Sequence, residues 1–197
     1  MDIIKVLQEE LQIGYKQAEA AVSLIDEGNT IPFIARYRKE ATGSLNDEVL
    51  RNLDERLKYL RNLEEKKEQV ISSIREQEKL TPELEKQILE AMTMVAVEDL
   101  YRPYRPKRRT RAMIAKEKGL EPLADLIWLQ QIKEPVEGLA RAYVSEEKQV
   151  ASEAEAVAGA RDILAERISD QADYRSYIRK ITMDRGMIAS SAKDGEI

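Results

Sequence analysis

The sequence contains no cysteine and no histidine. Without cysteine there is no disulfide, no thiolate metal ligand and no thiol nucleophile. Without histidine the commonest general base is missing, and with it a Ser-His-Asp triad or a histidine zinc ligand. Glycine is scarce, with eight in 197 residues. Neither G-x-x-x-x-G-K-[ST] nor G-x-G-x-x-G occurs, so no glycine loop that cradles phosphate is expected. No stretch approaches the ~20 consecutive apolar residues that span a bilayer. The opening MDIIKVLQEELQIGYKQAEAAV alternates apolar and charged residues at helical spacing and lacks the apolar centre of a signal peptide. A cytoplasmic protein with no membrane partner is the expectation.

Aromatic residues are also few, at 5%, whereas 35% of the chain is charged. Leu, Ile, Val, Met and Ala must therefore build the core. The net charge of −5 hides an asymmetry. Between Tyr101 and Lys118 stand eight basic residues and one acid, Glu117, for a local charge of +7. The rest of the chain then carries −12. A basic island in an acidic body is a candidate electrostatic footprint for nucleic acid.

The periodicity is helical nearly throughout. Ile3, Ile4, Leu7 and Leu11 predict a first short helix. Ala18, Ala21, Val22 and Ile25 predict a second over 16–27, closed by Gly28 and Asn29. Thr30 is expected to cap a turn that tolerates Pro32. Asn46, with Asp47 and Glu48 after it, reads as the cap of a long helix over about 46–78, roughly 50 Å at 1.5 Å per residue. Its seam runs Leu50, Leu53, Leu57, Leu60, then Ile71 and Ile74, with Glu64 and Lys67 interrupting it. A partner stripe from the same chain is the simplest cover for that seam. Thr81-Pro82-Glu83 restarts a helix carrying Leu84, Ile88, Ala91 and Val95. VEDL leads into YRPYRPKRR, where two prolines predict extended backbone. Further helices are expected from Thr110 to Gly119, around Leu123 to Trp128, after Pro135, after a Ser152/Glu155 capping box, and from about Gln171 to Gly186. Small residues around Gly159 would let a neighbouring helix approach closely. No strand is expected. The fold class is all-α, a multi-helix bundle with one long helix. The expected organisation is a helical subdomain over 1–100, a basic linker and helix-turn-helix-like element over 101–131, a helical subdomain packing back over 132–186, and the start of a further module over 187–197.

Three segments are candidate sites. In the basic island, Arg102, Arg105, Lys107, Arg108, Arg109, Arg111 and Lys116 offer phosphate contacts, bidentate for arginine. Tyr104 could stack on an unpaired base, although core packing suits the tyrosines better. The alternative for the island is a packed elbow. In IAKEKGLEPLADLIW, Ala115, Gly119 and Leu120 have the spacing of a helix-turn-helix, but Asp125 falls where an apolar residue belongs and Pro122 opens the second helix. A groove-reading helix is not expected there, since Glu117, Glu121 and Asp125 repel phosphate. The third segment, IPFIARYRKEATGSL, gathers Arg36, Arg38 and Lys39 beside Phe33 and Tyr37. It could face a partner, but bridging of these cations to acids of the long helix is the favoured reading. Carboxylates elsewhere, such as Glu64 with Glu68, sit beside Lys and Arg at helical spacing and read as solvated faces. No catalytic residue, metal site or cofactor is expected.

The phrases FIARYRKE, DLYRPYRPKRRTRA and GARDILAERI, in this order between Gly14 and Gly186, resemble the N-terminal region of Tex-family transcription accessory proteins. The resemblance implies a helical region containing a helix-turn-helix-like element, matched by Thr110 to Trp128. It also implies nucleic acid and the transcription machinery as partners. Family members continue with a ribonuclease H-like domain, helix-hairpin-helix segments and a C-terminal OB-fold, to which nucleic-acid binding is mainly attributed, and none of these lies in this sequence. A purely architectural module that positions such domains is the alternative expectation.

Overall fold

The computed structural model describes residues 1–106, 108–131 and 133–191. Among them are eleven α-helices and no strand, with a single isolated bridge between Ser145 and Val150. The chain forms two compact units, Met1–Val97 and Glu98–Ile197.

The first unit is built on a 30-residue helix, α4 (Asp47–Glu76), about 45 Å long at the usual rise. Asn46 caps it by accepting from the Val49 N–H at 2.8 Å. Against it pack α1 (Ile3–Leu11), α2 (Tyr15–Asp26) and α3 (Ile31–Tyr37). Leu7, Ala18, Ala21 and Ile34 meet the seam residues Leu50, Leu53, Leu57 and Leu60 in one buried cluster. Surface ion pairs brace the same helices: Arg61 reaches Asp26 through two hydrogen bonds of 2.7 and 2.8 Å, and Arg56 reaches Glu10. Thr30 precedes α3, but its side chain makes no capping bond, so Pro32 and the burial of Ile34 set that start.

Glu64 and Lys67 do not interrupt the seam. Lys67 is 1% exposed. Its Nζ donates to the Leu89 carbonyl at 2.8 Å and lies 2.9 Å from Glu64, whose other oxygen accepts from the Met1 ammonium at 2.8 Å. Burial alone would raise the Glu64 carboxyl; the bonds from the Met1 ammonium and Lys67 outweigh it and hold the group below its ordinary value. Lys67 thus ties α4 to α5 (Pro82–Glu90), which Thr81 caps. α5 is shorter than the apolar spacing predicts. Ala91 is already extended, and Val95 lies exposed on α6 (Met94–Tyr101).

The division between the units falls inside α6. The second unit centres on α10 (Glu153–Ser169), packed chiefly on α7 (Arg111–Glu117), with α8 (Glu121–Leu129) and α9 (Val136–Ala140) beside it. Its core is made largely of small side chains, Ala112, Ala115, Ala124, Ala140, Ala156 and Ala160, closed by Leu120, Leu123 and Ile163. The expected close approach occurs at Gly159, where a Cβ would run into Leu120 Cδ1 and stand 3.3 Å from Ala115 Cβ. Ser152 caps α10 through the Glu155 N–H, while the Glu155 carboxylate accepts from Ala151 N and Lys118.

The last helix, α11 (Ala172–Arg185), buries no side chain. It is held by Asp99, which accepts from Arg175 Nε and Arg179 Nη2, both at 2.7 Å. Among the described residues no helix is long and apolar enough to cross a membrane.

Candidate nucleic-acid interface

The basic island is not extended from its start. Arg102–Tyr104 continues α6 as a 3-10 turn, because a proline is tolerated at the second position of a new turn, where its missing N–H leaves no bond unmade. Arg105 is extended, and so is Thr110, whose hydroxyl accepts from the Met113 N–H and starts α7. Tyr101 and Tyr104 are half-buried and each has a partner.

Most of the island's charge is met by carboxylates, two of them from distant parts of the chain. Arg102 Nε lies 3.3 Å from Asp170, Arg105 Nη1 3.8 Å from Glu98, Arg109 Nη2 2.6 Å from Glu117, and Lys116 Nζ 3.1 Å from Glu121. Lys118 donates to Glu155 at 2.6 Å and to the Gln149 carbonyl at 2.7 Å. The Lys118 bond, followed by the Ala151 N–H, holds the Glu155 carboxyl below its ordinary value. Arg108 and Arg111 are exposed, and among the described residues neither meets a carboxylate. Lys107 lies outside the described residues. A cavity of about 360 Å³ beside the island is lined by Arg102 and Arg105 but also by Glu166 and Asp170, so it is not an anion pocket.

The segment after the island is a helix, a turn and a helix. Gly119 supplies the turn with φ of +77°, and Ala115 and Leu120 are buried at it. The face of α8 carries no cation. Glu121 and Asp125 are held by Lys116 and by Arg167, whose guanidinium lies 2.7 Å from Asp125 and over the Trp128 ring. An acidic, ion-paired surface of this kind has nothing to offer a phosphate backbone.

At the third segment the structure overturns the favoured reading. Arg36, Arg38 and Lys39 are exposed, and among the described residues none of them meets a carboxylate. Two acids of α4 are taken by its own basic residues: Asp47 pairs with Arg51 at 2.6 Å and Asp54 with Lys58 at 2.7 Å. Beside the free cations, Phe33 and Tyr37 stand one helical turn apart. Their ring centroids are 5.2 Å apart at a 45° tilt, and the Arg38 guanidinium lies 5.7 Å from the Phe33 centroid. Tyr37 is 68% exposed and Phe33, the only phenylalanine of the chain, 38%. The presence of aromatics among the basic residues was visible in the sequence; their outward orientation was not.

Among the described residues no three Asp or Glu side chains are grouped as a metal site. Fold and surface therefore define a helical protein whose distinctive surface chemistry is two basic segments. The chain belongs to the Tex family. Its residues 1–75 match the Tex-like protein N-terminal domain, and residues 131–196 match the Tex central region. It is 48% identical to Protein tex of Bordetella pertussis over 98% of its length, and 45% identical to Transcriptional accessory protein Tex of Neisseria gonorrhoeae over all of it. It spans only 24% and 26% of those relatives. A human relative named S1 RNA-binding domain-containing protein 1 is 29% identical over 97% of the chain, which spans 19% of that protein. The names of these relatives are those of transcription accessory or RNA-binding proteins.

Proposed function

We propose that this chain is a non-catalytic, nucleic-acid-binding scaffold within a cytoplasmic transcription accessory protein. The observation that carries the reading is the exposed run Arg105, Arg108, Arg109 and Arg111. Two of its guanidinium groups have no carboxylate among the described residues, and the other two are held only by ion pairs in which the arginine is more than 65% exposed. Such pairs are worth about 0–1 kcal/mol each, so a phosphate that accepts a bidentate fork can replace the carboxylate at little cost. The relatives' names, one of which cites an RNA-binding domain, point the same way.

The test is a titration of the chain with short single- and double-stranded RNA and DNA at two salt concentrations. With about three phosphates engaged, log affinity should fall with log salt at a slope of about −2 on a single strand. Reversing Arg105, Arg108 and Arg109 together to Glu should flatten that slope while leaving the melting curve in place. Unchanged binding would remove the island from the proposal.

An architectural reading is favoured by α11. Its exposed Tyr174, Tyr177, Ile178 and Ile181 lie on a helix with no buried residue. On that reading the stripe is covered by the remainder of a protein about four times as long, and the isolated chain binds no nucleic acid.

A further inference from the structure

We infer that the outer face of α3 is a second, separate contact, a stacking platform for unpaired bases of single-stranded nucleic acid. It shares with the preceding reading only the class of ligand, and rests on different residues.

Two exposed aromatic rings and three cations without carboxylate partners among the described residues lie within seven residues, Phe33 to Lys39. Several other surface arginines of this chain, Arg56, Arg61, Arg109 and Arg167, each meet an acid. Complementing the carbonyl end of a seven-residue helix uses one cation in the last turn, and does not account for three. Nor does core packing account for the rings, because α3 faces the core through Ile34, which is fully buried, with Ile31 and Ala35 beside it.

The platform is also fixed in place. The buried Thr42 hydroxyl donates to the carbonyls of Arg38 and Lys39 at 3.3 and 3.4 Å, and Ser44 N donates to Lys39 O at 2.7 Å. From α2, Gln17 Nε2 donates to the carbonyls of Gly43 and Thr42. Gly43, at φ of +59°, lets that amide approach, since a Cβ there would stand 2.7 Å from Gln17 Nε2. The backbone that carries the cations is thus ordered before a ligand arrives, which lowers the entropy cost of binding.

Aromatic faces bind any base by stacking, and adjacent cations neutralise flanking phosphates. A duplex hides its base faces. Unpaired RNA or DNA therefore fits both halves of the platform, whereas an acidic protein segment uses only the cations.

The experiment uses the whole chain with fluorescein-labelled oligouridylate and oligothymidylate, a duplex of equal length, and a polyglutamate peptide. Anisotropy is read across salt, and contacts are mapped by ultraviolet cross-linking of 5-iodouracil-substituted strands followed by peptide mass analysis. Tyr37→Ala should weaken single-strand binding about tenfold at every salt concentration, because stacking releases no counterions. Lys39→Ala should instead flatten the salt slope, and Tyr37→Phe should retain affinity. Cross-links should fall on Phe33 or Tyr37, and duplex binding should be unaffected by Tyr37→Ala. With Tyr37 so exposed, its removal should not shift the melting curve.

Retention of single-strand affinity in Tyr37→Ala, with loss in the Arg105/Arg108/Arg109 reversal, overturns this inference and leaves the island reading standing. The converse result upholds the platform and removes the island. No binding by the unaltered chain, or capture of polyglutamate without oligouridylate, overturns the platform as a nucleic-acid contact.

Discussion

In the first unit Asp47 and Asp54 are engaged by other basic residues of α4, and among the described residues the cations of α3 meet no carboxylate. In the second unit acids of α6, α7, α8 and α10 reach the basic segment itself and take up Arg105, Arg109, Lys116 and Lys118. Among the described residues, the longer and more basic run therefore presents fewer cations without a carboxylate per residue than the short one. Charge density along a sequence does not measure the field at the surface. Some of the carboxylates that cancel it come from positions far along the chain, as Asp170 does for Arg102 and Glu155 for Lys118, and others, Glu98, Glu117 and Glu121, stand within eight residues of the cation they meet.

The units differ in their interiors too, and the largest expected effect probes that difference. The first unit has room for a whole lysine among its leucines; the second has no room for one methyl group at Gly159. Lys67→Ala removes a buried stem and leaves the Leu89 carbonyl without its donor, so a loss of about 3–4 kcal/mol is expected in chemical denaturation. Lys67→Met keeps the stem and should lose less, about 1–3 kcal/mol, the cost of the unpaired Leu89 carbonyl and of a Glu64 carboxylate left with the Met1 ammonium alone. Equal losses in the two variants would show that the bridge between α4 and α5 alone, not the packing of the stem, sets the role of Lys67.

Next in size is Gly159→Val. The added side chain meets Leu120 and Ala115 across the contact of α10 with α7, where an overpacked site costs about 2–3 kcal/mol. The gain in helix propensity from replacing glycine, about 0.5 kcal/mol, offsets only part of it. A variant as stable as the parent would mean that α10 and α7 can move apart freely, and the contrast between the two interiors would fail.

Much of the fold was legible because its signals are local. The caps at Asn46, Thr81, Thr110 and Ser152 each form the bond their sequence context predicts. The leucine seam of α4 is buried as its spacing requires. Two kinds of feature were not legible. Where a helix yields to a proline depends on whether that residue can open another turn, which is how Pro103 came to sit in a 3-10 turn instead of extended chain. Whether a charge is paired depends on tertiary neighbours. Lys67 therefore looked like a break in the seam, and Arg36, Arg38 and Lys39 looked bridged. The tyrosines show the same limit. Tyr104 in the island and Tyr37 in α3 have similar flanking residues, yet one is half-buried and the other open.

The smallest expected effect concerns α11, where a cation pair is again spent on an internal acid. Burial alone would raise the Asp99 carboxyl, but the hydrogen bonds from Arg175 and Arg179 outweigh it, and the group sits below its ordinary value. A carboxyl depressed in the folded state adds stability that is fully present above its unfolded value, about pH 4. That stability is lost as the pH falls through the lower folded value. Because α11 buries no side chain, the loss should be local, an opening of this helix ahead of the α7–α10 core. Asp99→Asn should reproduce the opening at neutral pH, costing α11 about 1–2 kcal/mol in amide-exchange protection while residues of α10 keep theirs. If α11 amides stay as protected in Asp99→Asn as in the parent, contacts other than this carboxylate hold the helix.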